Sequence, residues 1–456
     1  MRMHSTIFSK AILAAIWSSA VAGQREGPSS HHTKRVTPAK GLISGWVTAW
    51  GGNVSMPLYE KYDELTYLGA LTTSDGGVNM TVDGDPLQKY IFTQANMTAI
   101  RPLLSVGGWA GSQFFSRNVR DDAARQKSAT NVTAVVKQFG FGGVDLDWEF
   151  PSSKPDNMSH VTGDRGNWCN ENHPDDYDNL VKFIQLLRTL LGKDALLCAS
   201  VPFSGYLDKN QKRVEDASAL VSKDALDYIS IMTYEMGHHY RHWTGIHAPL
   251  HISTKTPWDQ RWSIARSVEY WLGAKIPADK IQIGLPGHGK ILQTTLSGEA
   301  KASLKPNPEY SGSRLYQIQD YPIVQTATPA IWNESDAWNT GSKAIWERDF
   351  CGTFRNIEHV KATSYTQLIA EGFLDAHGQA IPKEGRYIEY DRLTESPYIY
   401  NSSSGELITY DNPISFGAKS KWAKEKGLLG VKIFSLQHDT LDGALIDAVR
   451  QPWIEN

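Results

Sequence analysis

The sequence predicts an α/β fold: a (β/α)8 barrel with a small α+β domain inserted between its seventh and eighth strands. Three observations lead there. Strand-like and helix-like patterns alternate through most of the chain, which favours a parallel sheet covered by helices. The strand-like runs number eight. The interval between the seventh and the eighth, roughly Lys290 to Pro397, is far longer than the loop and helix that ordinarily join neighbouring barrel strands.

The eight runs are 42–50, 67–72, 101–107, 143–149, 196–201, 228–234, 281–285 and 430–436. Segments 177–191, 262–273 and 413–426 lie between them and read as helices. The long interval carries its own strand-like pieces, 386–390 and 398–400, and a helix-like piece, 365–371. It therefore reads as a separate small domain beside the active-site face. The expected organisation is a leader at 1–22, a polar segment at 23–40, barrel at 41–289, inserted domain at 290–397 and barrel again at 398–456.

The chain has 456 residues, of which 41% are hydrophobic and 21% charged. That is ordinary globular composition with enough apolar side chains for a large core. A net charge of -3 gives no electrostatic case for nucleic acid as a partner. Arg2 and Lys10 precede an apolar run at 11–22 that ends Ala20-Val21-Ala22, the pattern of a cleaved secretory leader. The run is too short for a membrane span, and no other long apolar stretch occurs. A soluble, secreted, extracellular monomer with no membrane partner is expected.

In a secreted chain the seven Asn-x-Ser/Thr sequons, at Asn53, Asn79, Asn96, Asn131, Asn157, Asn333 and Asn401, are candidates for glycosylation. Cys169, Cys198 and Cys351 allow one bridge at most and leave one thiol over.

The chemistry concentrates in residues 140–151, Gly-Phe-Gly-Gly-Val-Asp-Leu-Asp-Trp-Glu-Phe-Pro. Asp145, Asp147 and Glu149 stand at i, i+2 and i+4, preceded and separated by the apolar Val144, Leu146 and Trp148. In a strand this spacing puts all three acids on one face. The face lies at the end of the fourth strand, and barrels of this kind place their sites at the C-terminal ends of the strands. Crowded carboxylates drive one another's pKa values apart, so that one keeps its proton and serves as a general acid. Such a pair breaks glycosidic bonds. The 15 Trp and 19 Tyr suit the same substrate class, because the C–H faces of sugar rings pack on flat aromatic surfaces. No metal or cofactor is expected. Asp145 and Asp147 have no further ligand shell in the motif, and His238, His239 and His242 lack an accompanying acid or Cys spacing.

From about Leu42 to Asp439 the chain resembles family 18 glycoside hydrolases, the chitinase family. The signature D-G-x-D-x-D-W-E is met by residues 142–149 with Gly142 in first place. The third-strand S-x-G-G is met by Ser105-Val106-Gly107-Gly108, followed by Trp109. The sixth-strand M-x-Y-D appears as Met232-Thr233-Tyr234-Glu235. Residues 244–250, 408–413 and 430–434 resemble the family's later motifs, and the long insertion sits where its chitinase insertion domain does. With the leader, the style is that of a fungal-type secreted enzyme.

The resemblance implies a TIM barrel acting on chitin or chitooligosaccharides, with retention of configuration and the substrate's own acetamido group as nucleophile. Glu149 becomes the acid/base. Asp147 orients the acetamide, Asp145 shares a proton with Asp147, and Tyr234 donates to the acetamide carbonyl. Trp109, Gly108, Met232, Glu235, Phe434 and Trp46 are the expected substrate-binding residues.

Three positions depart from the family pattern. Gly142 removes a carboxylate expected to help set the charge on Asp145. Glu235 stands for Asp, and Phe434 for Trp. The rival readings are a non-catalytic chitin-binding lectin on the same barrel, against which the intact Glu149 argues, and an endo-β-N-acetylglucosaminidase, whose relatives usually lack the large insertion.

Overall fold

A computed structural model describes residues 40–48, 56–80, 101–153, 170–236, 245–252, 262–293, 346–348, 354–356 and 360–454. These fall in one unit, Thr37–Asn456. The expected leader, the polar segment up to residue 39, His238, His239, His242, Cys169 and Cys351 lie outside the described residues.

Eight strands close a parallel barrel. They are β1 (Leu42–Thr48), β2 (Glu64–Thr72), β3 (Arg101–Gly107), β4 (Gly143–Asp147), β5 (Leu196–Pro202), β6 (Tyr228–Met232), β7 (Ile281–Pro286) and, much later in the chain, β13 (Gly430–Phe434). Each strand pairs with the next, β7 pairs with β13, and β13 pairs with β1. Because helices cover the outside and side chains fill the inside, the strands are buried on both faces. That is why β4, β5, β6 and β7 show no exposed position along their length. All eight runs picked from the sequence are strands, with ends shifted by a few residues.

Among the covering helices are α1 (Asp122–Phe139), α2 (Asp176–Leu191) and α3 (Ile264–Gly273). Their ends follow local chemistry. Asp121 caps α1 by accepting from the amide of Ala124, and Gly140 ends it at φ +74°. Ser263 caps α3 through the Arg266 amide. Gly143, which opens β4, is there for space: a Cβ would fall 2.0 Å from the Leu196 carbonyl oxygen. Only glycine lets β4 lie this close to β5.

A second, antiparallel sheet grows from the end of β7. Its strands are β8 (His288–Gln293), β9 (Val360–Ser364), β10 (Arg386–Asp391), β11 (Ser396–Asn401) and β12 (Glu406–Thr409), ordered β9-β8-β12-β11-β10. The helix α4 (Tyr365–Ala370) follows β9 directly. After β12, α5 (Pro413–Glu425) opens with a reciprocal Asn412–Ser415 capping box, and α6 (Ala444–Ile454) ends the described chain. No helix among the described residues is long and apolar enough to cross a membrane.

Three sequons fall in described segments. Asn79 is exposed, whereas the Asn131 side-chain amide donates to the Gly76 carbonyl and the Asn401 side chain accepts from two backbone amides. Cys198 is a buried free thiol.

One ion pair fastens α2 to the barrel. Arg188 meets Asp227 at 2.7 Å with both side chains almost fully buried, and Asp227 also accepts from the Leu197 amide. Removing one partner of such a pair strands the other charge out of water. Asp227→Ala is expected to lower unfolding stability by about 3–5 kcal/mol, measured by urea denaturation.

Candidate active site

Asp145 and Asp147 share one side of β4, Glu149 lies two residues beyond its end, and each acid meets a different environment. Asp145 lies deepest and is fully buried. Its carboxylate accepts from Trp46 Nε1 (3.3 Å), Ser105 Oγ (3.1 Å), Ser200 Oγ (2.9 Å) and Cys198 Sγ (3.5 Å), and Lys432 Nζ stands 3.5 Å away. The partners come from β1, β3, β5 and β13, so the barrel interior converges on this one group. Trp148, of opposite parity, faces outward and stacks on Phe115 at 5.0 Å.

Asp147 is buried, and its Oδ1 has no hydrogen-bond partner among the described residues. Burial first, then the charges of Glu149 and Asp145, hold its carboxyl well above the usual range, and Lys432 works in the opposite direction. Its backbone is clamped: the Asp147 carbonyl accepts from the Gly108 amide (2.7 Å) and from Ser112 Oγ (3.1 Å). Gly107 is needed here, because a Cβ would fall 2.2 Å from that carbonyl oxygen.

Glu149 follows the strand. Its amide donates to Ser112 Oγ and its carbonyl accepts from Asn170 Nδ2, so the backbone is fixed on both sides. Burial, then the nearby Glu235, push its carboxyl up to about 8. Glu149 therefore carries a proton at neutral pH, as a general acid must.

Glu235 takes the opposite state. Burial works against its charge, but the Lys290 ammonium at 2.9 Å, with His247 and His288, outweighs that and holds the carboxyl well below the usual range. Its φ of +61° is a left-handed conformation that non-glycine residues seldom adopt. Ligand atoms of Glu235, His247 and His288 lie within 4.8 Å of one another, the composition of a cation site. The Lys290 ammonium already supplies the positive charge there.

Tyr234 stacks on Phe434 at 5.6 Å and meets His288 edge-on. Burial, Asp147 and Glu149 keep its phenol well above the usual range, so it stays a donor. Trp109 is half-buried on the turn after β3, Gly108 abuts Asp147, and Met232 is buried at the end of β6.

Three expectations need correction. Trp46 is 1% exposed, with its N–H on Asp145 and Lys432 over its ring at 4.2 Å. It supports Asp145 from below and offers no face to a ligand. Gly142 is exposed at the opposite end of β4, about 10 Å of extended chain from Asp145 and of the other side-chain parity. A carboxylate there has little hold on Asp145. Finally, no hydrogen bond joins Asp145 to Asp147 among the described residues, because the oxygens of Asp145 are taken up by donors from other strands.

The sequence offered Cys198 only as a thiol for a bridge and gave no site role to Ser200, Lys432, His247, His288 or Lys290. The one available signal was polar residues at inward parity in otherwise apolar strands, of which Lys432 is the clearest.

The fold and the carboxylate ladder together define a class: a glycoside hydrolase barrel. A family model described as glycosyl hydrolases family 18 matches residues 45–439. A chitinase-like effector of Moniliophthora roreri is 24% identical over 420 residues, 91% of this chain and 94% of the relative. Chitinase 1 of Aphanocladium album is 24% identical over 381 residues, 82% of this chain and 68% of the relative. The crystal structure of a chitinase from Rhizomucor miehei matches with a TM-score of 0.70 at 24% identity, covering 90% of this chain and 100% of that one. The chain belongs to glycosyl hydrolases family 18.

Because the Glu235 anion raises the Glu149 pKa, Glu235→Gln is expected to move the Glu149 titration midpoint down from about 8. A carboxyl-carbon NMR titration of glutamate-labelled protein measures the shift.

Proposed function

We propose that this protein is a secreted chitinase, hydrolysing β-1,4-linked N-acetylglucosamine chains with retention of configuration. The observation that carries the reading is the pairing of Glu149, raised to about 8, with the buried Asp147, whose Oδ1 lacks a partner. One group holds a transferable proton. The other presents an acceptor that a substrate N–H can fill.

In the first step the Glu149 carboxylic acid donates its proton to the leaving glycosidic oxygen as the C1–O bond breaks. The acetamido oxygen of the same sugar bonds to C1, and the positive charge spreads over the resulting oxazolinium ring. Asp147 accepts from the acetamide N–H and offsets that charge, while the Tyr234 hydroxyl donates to the acetamide oxygen as the sugar binds. In the second step the Glu149 carboxylate takes a proton from water, the water oxygen bonds to C1, and the ring opens back to the acetamide. Two inversions give retention.

Phe434, stacked on Tyr234, offers a ring to the sugar face, and Trp109 at the rim is placed for a neighbouring unit. The described strands of the inserted sheet stand beside the site through Lys290 and His288, and a long insertion there suits a preference for long chains. Chitin or a chitooligosaccharide is then the partner of a monomer exported by the leader at 1–22.

A second reading, chitin binding without cleavage, draws support from relatives named chitinase-like effectors. The intact Glu149 favours cleavage.

Wild type is expected to release β-anomeric short oligomers from chitotetraose, followed by proton NMR. Glu149→Gln is expected to lose about 10²–10⁴-fold in kcat and still bind the tetramer. Binding without products in wild type favours the second reading.

A further inference from the structure

Lys432 is a buried cation of the barrel interior that the mechanism above does not use. It sits in the middle of β13 and is fully buried. Its ammonium lies 3.5 Å from Asp145 Oδ2 and 4.2 Å from the centre of the Trp46 ring, and has no hydrogen-bond partner among the described residues. A buried ammonium is costly unless an anion faces it. The charged and titratable groups around it are Asp145 and Asp147 on β4, Cys198 on β5 and Glu64 on β2, with Tyr228 of β6 bonded to Glu64. Asp145 is the nearest anion, and the groups on its oxygens are placed to donate. Trp46 N–H and the ammonium can do nothing else, and the hydroxyls of Ser105 and Ser200 point their donors at it.

We propose that Lys432 is a positioning residue for this site: sealed against Asp145 and Trp46, its ammonium puts a positive charge at the base of the β4 column and favours the carboxylate form of Asp147 above it, the form that accepts the acetamide N–H. The same cation eases ionisation of Asp147, countering the burial and the negative neighbours that oppose it. Tyr206 and Tyr234, on the segments that follow β5 and β6, feel the charges of the column as neutral phenols and add none. Asp147 is thereby free to present its oxygen to the substrate rather than to Asp145. The idea deepens the hydrolase reading and rests on it only for its kinetic readout.

The sign follows from the charge. Replacing the ammonium by a neutral group disfavours the Asp147 carboxylate, so its titration midpoint must rise.

Lys432→Met keeps length and volume and removes the charge. In aspartate-labelled protein, with the Asp147 carboxyl resonance identified through Asp147→Asn, the midpoint is expected to move up by about one pH unit. The acid limb of kcat against pH on chitotetraose is expected to move with it. Removing the ammonium leaves Asp145 buried without its cation, so some loss of thermal stability is expected as well, and the titration is read well below the unfolding transition.

A folded variant whose Asp147 midpoint and acid limb both stay in place overturns the proposal. Lys432→Gln serves if the Met variant does not fold. If neither folds, Lys432 is structural and the proposal falls. A shifted midpoint in a protein that cleaves nothing, wild type included, upholds the role of Lys432 and sinks the hydrolase reading instead.

Discussion

Everything at this site depends on burying Asp145 at the centre of the barrel. A carboxylate there is tolerable only because three strands aim donors at it and a fourth brings the Lys432 ammonium, which supplies charge. Those contacts come from residues separated by up to hundreds of positions in the chain, so they also bind the barrel into one closed object. The charge state of the next acid up the strand, Asp147, follows from how this first one is satisfied.

Above it the column becomes steadily less constrained. Asp145 has a full set of partners. Asp147 has a fixed backbone and an unfilled oxygen, and Glu149 has a fixed backbone and a carboxyl that accepts no hydrogen bond among the described residues. A gradient from saturated to open suits a site where the deepest group must not change and the outermost must gain and lose a proton. Glu235 completes it from the neighbouring strand end. Its charge, stabilised by Lys290 and His288 from the inserted sheet, reaches Glu149. The inserted sheet therefore contributes electrostatically to the site as well as standing beside it.

The departures at Gly142, Glu235 and Phe434 weigh differently once located. Gly142 is at the far end of the strand and has little bearing on the acids. Glu235 keeps a carboxylate and gains two histidine neighbours and a lysine. Phe434 keeps a ring, in a stack with Tyr234 and edge-on to Trp46. The fourth unusual position, Lys432, carries the largest electrostatic consequence because it is the one buried beside Asp145.

The sequence by itself determined the eight strands, their order, the long insertion after the seventh and the three acids at alternate positions at the end of the fourth. All of these follow from periodicities of two and 3.6 residues and from spacing along a single element, which are local properties. Only the tertiary structure decided which acid is saturated and which is open. Partners such as Ser200, Lys432 and Lys290 lie on other strands, and closure of the barrel alone sets their distances. It also decided that Trp46 is a support and that Gly142 is remote, because burial and strand end are not written in a motif. The charge states came last, since they sum the effects of every strand that reaches the centre.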